Sequence, residues 1–186
     1  MMRVWQVCIC CWAIFSLAGA EERPVGGYRE PVIQRVVLDD ELGMLERERE
    51  EYAGNLAAFM SNHLAGKPRP GQADYDLARK VLALALHLSP RNRRAVVLNF
   101  QLRKGHVPGK VEGDYEPAVL ARLLLTRAEH LFSQKGAGNR LVARCFVELA
   151  AQIDPRNEDA VYAYEMQRVD YGALDWTQLT DARRKK

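Results

Sequence analysis

The chain has 186 residues, with 27 lysines and arginines, 24 aspartates and glutamates, and a formal net charge of +3. A net charge so close to zero argues against a protein that binds polyanions. No nucleic-acid partner is therefore predicted. The length is ample for one domain with a continuous apolar core. One folded body with loose ends is therefore expected.

Residues 1–20 have the pattern of a secretory signal peptide. Arg3 precedes an apolar run over residues 7–17, and Ala18-Gly19-Ala20 forms a small-x-small cleavage site. The apolar run is shorter than the roughly 17 to 25 residues that span a bilayer. The sequence predicts cleavage before Glu21 and export, to the periplasm or the medium. The alternative is an uncleaved signal that anchors the chain in the membrane.

Cleavage would leave Cys145 as the one cysteine of the mature chain, because Cys8, Cys10 and Cys11 belong to the signal peptide. An internal disulfide is then impossible, and Cys145, set among apolar residues, is predicted to pack as a small buried hydrophobe. Secreted domains in strongly oxidising compartments usually depend on disulfides. The mature chain, with 26 basic and 24 acidic residues once Arg3 is removed, is therefore interpreted as a bacterial envelope protein.

The segment after the predicted cleavage site, residues 21–36, contains two prolines and a Gly-Gly pair, which predict a flexible leader. A helical domain is predicted over residues 37–182 and a basic frayed tail over 183–186. The first helix is predicted over 39–64, because apolar residues recur at helical spacing and acidic residues precede them. The segment 66–71, rich in proline and glycine, ends this helix.

Five further helices are predicted from the same kind of pattern. Their bounds are 73–88, 93–104, 116–133, a helix from the cap Asn139 to Ile153, and a helix from the cap Asn157 to about Tyr171. Beyond them, Leu174, Trp176 and Leu179 are predicted to cover an exposed apolar end of the helical body, as terminal caps do in stacked helical proteins.

Two stretches of the chain, 78–103 and 143–168, repeat each other at constant spacing. Identical residues stand at Ala78/Ala143, Arg79/Arg144, Leu84/Leu149, Ala85/Ala150, Pro90/Pro155, Arg91/Arg156, Asn92/Asn157, Ala95/Ala160, Val96/Val161 and Arg103/Arg168. A tandem duplication explains these identities. It predicts an all-α fold of about six helices in two three-helix units, which usually form docking surfaces rather than catalytic pockets.

The two stretches resemble tetratricopeptide repeats. The small, bulky, small and proline positions of that family's second helix are matched by Ala78, Leu82, Ala85 and Pro90, and again by Ala143, Val147, Ala150 and Pro155. Phe100 and Glu165 stand where the family prefers a small residue, so the chain is similar to a degenerate member. The resemblance implies a right-handed solenoid stack that holds a protein or peptide.

No motif for catalysis, cofactor binding or metal binding is present. The sequence lacks a His-Glu-x-x-His zinc motif, a Gly-x-Ser-x-Gly turn, a phosphate-binding Gly-x-x-x-x-Gly-Lys loop and a cysteine pair for metal. His63 and His130 occupy corresponding places, each near a predicted helix C-terminus. They are interpreted as structural residues that bond the last carbonyls of their helices.

Two sets of residues are candidates for partner binding. The first is a basic cluster, Arg91, Arg93 and Arg94, which suits an acidic peptide or an anionic envelope polymer; the alternative is an ordinary solvated helix face. The second is apolar and aromatic, on and after the last helix. Its members are Tyr162, Tyr164, Met166, Tyr171 and Trp176. For this set, the alternative is that the C-terminal segment packs back on these residues and completes the core.

The sequence therefore predicts an exported, non-catalytic helical-repeat adaptor that binds a protein or peptide in the envelope, without a small-molecule cofactor. Weak homo-oligomerisation is compatible with this prediction. One alternative is an enzyme of unrecognised type that acts on an envelope polymer. Another is a structural subunit that assembles through its C-terminal segment.

Overall fold

The computed structural model describes residues 27–33, 38, 42–112 and 116–182. These residues are mostly helical, which confirms the all-α class. The helices are α1 Glu46–Ala65, α2 Gln72–Leu88, α3 Arg93–Arg103, α4 Pro117–Ser133, α5 Ala137–Ile153, α6 Glu158–Tyr171 and α7 Thr177–Thr180, and the strands are β1 Val32–Ile33 and β2 Asp181–Ala182. The predicted signal peptide and the basic tail lie outside the described residues.

The repeated stretches fold alike at the level of single helices. Both α2 and α5 have 17 residues, and each ends two residues before its proline, Pro90 or Pro155. A turn then leads to an asparagine that caps the next helix. The side-chain oxygen of Asn92 accepts from the Ala95 amide at 3.0 Å, and that of Asn157 accepts from the Ala160 amide at 3.1 Å. These two predicted caps are confirmed.

The starts of two helices and the number of helices differ from the sequence prediction. α1 begins at Glu46 rather than at residue 39, because the Arg49 guanidinium binds the carbonyls of Leu42 and Met44 and holds that segment in a turn. α5 begins at Ala137, after Gly136 at a φ of 122°, so Asn139 lies inside the helix and is not its cap. A seventh helix, α7, follows the six long ones in the described residues.

Each unit contains a helical hairpin, α1 with α2 and α4 with α5, but the third helices pack differently. α3 lies mainly on α1, whereas α6 lies mainly on α5. Four side chains of α3 are buried, namely Ala95, Leu98, Asn99 and Leu102, but only Ala160 and Gln167 of α6. The two copies therefore share their helices and caps without sharing one packing arrangement.

The two units are joined through one apolar core. The Tyr52 ring of α1 stacks on Phe146 of α5 with centroids 5.2 Å apart, and its hydroxyl donates to the Leu123 carbonyl at 3.3 Å. Arg127 of α4 adds polar contacts to the Gly43 carbonyl before α1, at 2.6 Å, and to Glu48 in the first turn of α1, at 2.8 Å. Burial of aromatic surface at this junction favours one continuous body over two independent halves.

Both ends of the described chain pack on α2, and the N-terminal end also contacts α3. Strands β1 and β2 pair in parallel, with Val32 opposite Asp181. Tyr28 is 1% exposed, and its hydroxyl donates to Asn99 at 2.6 Å. The prediction of a flexible leader over 21–36 is thus wrong for residues 27–33, since burying a tyrosine ring outweighs the local Pro/Gly signal. The other residues of that leader lie outside the described residues.

The duplicated caps offer an internal comparison for stability. Asn92 also donates from its amide to Glu50 of α1, at 3.1 Å to the carbonyl and 3.0 Å to the carboxylate, whereas Asn157 only caps its own helix. Replacing Asn92 with alanine is expected to cost about 2–3 kcal/mol, and replacing Asn157 about 1 kcal/mol. Urea unfolding of the two variants measures both losses. Equal losses would contradict a stabilising role for the Asn92–Glu50 contact.

Candidate protein-binding surfaces

A concave surface with basic walls lies between α1 and α3. Its volume is about 480 Å³, and it is lined by Ala58, Ser61, Arg93, Arg94, Val97, Leu98, Gln101, Pro108, Gly109, Lys110 and Val111. The loop at its edge is held by Asn62, whose side chain both donates to the Val111 carbonyl (2.9 Å) and accepts from the Val111 amide (2.7 Å). We name this surface the basic groove.

The basic groove combines free cations with an apolar floor. Arg93, Arg94 and Lys110 are exposed, and none of them forms an ion pair with another residue in the described ranges. The floor is formed by apolar side chains, and Val97 keeps 46% of its surface exposed. Unpaired guanidinium groups bind carboxylates in a bidentate manner, and apolar floor surface gains by being covered. The groove is therefore suited to a segment that carries acidic and apolar side chains.

The predicted basic cluster is only partly brought together by the fold. Arg93 and Arg94 line the groove, whereas Arg91 lies in the turn before α3 and does not. Lys110 was not predicted. It is distant in sequence from the arginines, and the Asn62 contacts to the loop help to bring it to the same groove.

The second unit has a groove at the equivalent place, between α4 and α6. Its volume is about 380 Å³, and it is lined by Arg122, Leu125, Thr126, Glu129, Asn157, Asp159, Tyr162 and Ala163. At the spacing of the repeat, Asp159 corresponds to Arg94, Tyr162 to Val97 and Ala163 to Leu98. The same helical positions thus line both grooves, but their charge is opposite at the N-terminus of the third helix.

The outer face of α6 exposes large apolar side chains. Tyr162 is 68% exposed and Tyr171 56%, and Val169, which was not predicted, reaches 75%. Met166 is at the edge of a cleft of about 450 Å³ between the end of α4, the start of α5 and α6. Tyr164 is half-buried against the core, with the Arg168 guanidinium 5.7 Å above its ring. Four of the five predicted apolar candidates therefore lie on α6, and three of those four are exposed.

Trp176 is not part of that exposed surface, which corrects its prediction as a partner contact. Its side chain is 8% exposed, its indole N–H donates to Glu148 at 2.8 Å, and the Lys80 ammonium lies 5.3 Å from its ring centroid. The C-terminal segment packs on α2 rather than on α6. Trp176 and Leu179 of this segment are buried there. The segment does not cover the exposed aromatic residues of α6.

Within the described residues, neither the His63 ring nor the His130 ring forms the predicted hydrogen bond to a helix carbonyl. The His63 ring contacts Asp74 of α2 at 3.0 Å, and the same carboxylate accepts from Lys67 in the intervening turn. His130 is exposed. The described ranges hold no group of three histidine, cysteine or acidic side chains placed for a metal ion.

The contacts to Asp74 predict an acid dependence of stability. The hydrogen bond from Lys67, then those from the Gly71 amide and His63, lower the pKa of Asp74 to about 2. Because this pKa lies below the value of about 3.9 in an unfolded chain, the stabilisation is complete above pH 4 to 5 and is lost as the pH falls toward 2. Asp74→Asn is expected to flatten the fall of stability in this window.

The matched control for that measurement is Asp76→Asn, two residues further along α2. Asp76 is exposed, and among the described residues its carboxylate accepts one hydrogen bond, from Gln72 at 2.8 Å. Urea midpoints between pH 5 and 2 compare the two variants with the parent protein. A slope in Asp74→Asn equal to that of the parent would contradict the role of the Lys67–Asp74 contact.

The packing role predicted for Cys145 agrees with its position in the fold. Cys145 is fully buried, as predicted, and burial raises the pKa of its thiol far above the usual range, which keeps it protonated. Among the described residues, none of the helices has both the length and the apolar character needed to cross a bilayer.

Comparisons with known proteins add no assignment: no family model matches the chain, and neither curated proteins nor solved structures contain a significant match.

Proposed function

We propose that this chain is an exported, tetratricopeptide-like adaptor that binds a protein or peptide of the cell envelope and performs no chemistry. The observation that carries this proposal is the basic groove, with free arginines on one wall, Lys110 on the other and apolar side chains between them. Export rests on the signal-peptide pattern of residues 1–20, and the repeat class rests on the Ala/Pro spacing around Pro90 and Pro155.

Docking in this groove would be passive. The apolar floor supplies contact area from which water is released, while the exposed cations select acidic segments and speed their approach. Rigidity is supported by Asn62, which fixes the 108–111 loop, and by Asn92, which ties the start of α3 to α1. A groove that is already formed loses little conformational entropy when it is filled.

The exposed face of α6 is a second contact surface in this proposal. Tyr162, Met166 and Tyr171 present apolar and aromatic area of the kind enriched in protein interfaces. Tyr164 is excluded from this role because it packs against the core.

Site-specific photo-crosslinking in the native envelope tests the proposal. A photoreactive residue at Val97 is expected to trap a protein partner, whereas one at Arg69, exposed in the loop between α1 and α2, is expected to trap none. Reversal of the groove charge, Arg93→Glu with Arg94→Glu, should abolish the Val97 product. Equal labelling from Val97 and Arg69, or a product insensitive to charge reversal, would contradict docking in the groove.

A further inference from the structure

The duplication has left one chain with a basic and an acidic version of the same surface. Arg93 and Arg94 begin α3, and Glu158 and Asp159 begin α6 at the corresponding positions. All four side chains are exposed, and none forms an ion pair with another residue of the described chain. Exposed, unpaired and opposite charges at equivalent places give the chain a surface complementary to itself.

The acidic surface also carries an apolar anchor. Tyr162 is four residues after Glu158 and three after Asp159, so its side chain neighbours both acids on the surface of α6. Tyr162 is 68% exposed and therefore projects from the helix. The basic groove has the converse arrangement, with Arg93 and Arg94 at the start of α3, the apolar side chain of Val97 one turn further on, and Lys110 across the groove.

We propose that the basic groove of one copy binds the first turns of α6 of a second copy, with Glu158 and Asp159 on the arginines and Tyr162 on the apolar floor. This inference rests on the proposed function, since it names one occupant of the same groove. Two acidic groups meet three cations, so the contact is electrostatically favourable and a further acidic group can be accommodated. The contact joins unlike surfaces, so copies associate either as a closed pair with two such contacts or head to tail.

Sedimentation velocity of protein produced from the full sequence tests the contact. Between about 1 and about 200 µM at low salt, the average mass is expected to rise with concentration, as a weak protein contact requires. Raising the ionic strength to about 0.5 M should weaken association, because the Debye length falls well below 10 Å. A single monomeric species at every concentration and at low salt would overturn the inference.

Charge reversal identifies the surfaces involved. Arg93→Glu with Arg94→Glu, or Glu158→Arg with Asp159→Arg, is expected to raise the dissociation constant at least about 100-fold, because like charges then face each other. The matched control is Arg47→Glu with Arg69→Glu, which changes the charge equally at exposed positions outside the groove and should leave association unchanged. Circular dichroism confirms that each variant is folded.

Complementation is the decisive measurement. A mixture of the two reversed variants, in which the acidic groove of one meets the basic α6 of the other, is expected to recover association to within about threefold of the parent protein. A single chain with all four reversals should recover it as well. Failure of both to associate would overturn the proposed contact, even if each variant alone is monomeric.

The outcome also separates this inference from the proposed function. Crosslinking from Val97 to a different envelope protein, together with a monomeric parent protein, leaves the adaptor in place and removes the self-contact. Crosslinking to a second copy alone, with charge-dependent association, supports the self-contact and removes the adaptor. If Val97 gives no crosslink and the parent protein does not associate, both the adaptor function and the self-contact are contradicted.

Discussion

Trp176→Ala is expected to lower the free energy of unfolding by about 3–5 kcal/mol, because truncating a buried aromatic side chain removes its apolar contacts and leaves a cavity. Trp176 is 8% exposed and lies between α2 and α5, where its N–H donates to Glu148. For a chain of this size, such a loss corresponds to a fall in Tm of about 10 °C. Thermal and urea unfolding followed by circular dichroism measure it.

Glu148 gives this prediction its control. One oxygen of this nearly buried carboxylate accepts from Trp176, from Lys80 at 3.1 Å and from Gln152 at 3.0 Å. Glu148→Gln keeps an acceptor for the indole but loses the charge that faces Lys80, so it should cost less than Trp176→Ala. In a double-mutant cycle, Glu148→Ala and Trp176→Ala should be coupled by about 1–2 kcal/mol.

A loss below about 1 kcal/mol for Trp176→Ala would show that the C-terminal segment does not complete the core. The same variant addresses the alternative of assembly through that segment. Trp176 contacts α2 and α5 of its own chain. Its replacement is therefore expected to lower the free energy of unfolding and to leave the protein monomeric at low concentration.

Tyr28→Ala is expected to cost about 3–5 kcal/mol, as large as the effect at the opposite end of the chain. Tyr28 precedes the first helix by many residues, yet it is 1% exposed and its ring lies 6.3 Å from that of Tyr75 in α2. Burial raises the pKa of its hydroxyl far above the usual range. The hydroxyl is therefore neutral and donates to Asn99, whose amide in turn donates to Glu30 at 2.7 Å.

Tyr28→Phe separates the ring from its hydrogen bond. It keeps the apolar burial and is expected to cost only about 1–2 kcal/mol, the value of a buried hydroxyl bond whose acceptor loses its partner. Urea unfolding, followed by circular dichroism, measures both variants. Equal losses for alanine and phenylalanine would place the stabilisation in the hydrogen bond, and no loss in either would show that residues 27–33 do not hold the body together.

Most of the helix bounds could be predicted from local patterns in the sequence. The bounds of α2, α4 and α6 and the caps Asn92 and Asn157 follow from residues within a few positions of each helix end, since proline and asparagine act on the adjacent backbone. The exception among the caps was Asn139. Its side chain accepts from the Gly43 amide at 2.7 Å, a partner on a distant segment that no local pattern reveals.

The candidate surfaces show the same division. Exposed Tyr162 and the arginines of α3 could be singled out by residue type and helical position. Lys110 could not, because its place in the groove depends on the contacts of Asn62 with Val111. The sequence predicts Trp176 both as a cover of the apolar end and as a partner contact, and its burial with a bond to Glu148 fits the first of these two predictions.

The sequence by itself determined the helical class, the duplication and the polarity of each helix face, because periodicity and capping are local properties of the chain. Only the tertiary structure decided that α3 and α6 pack against different neighbours, that Tyr28 joins the core, and that the equivalent positions of the two copies line two grooves. The physical reason is that burial and electrostatic pairing are set by which distant segments meet, and that choice is made by the sum of many weak contacts across the whole body.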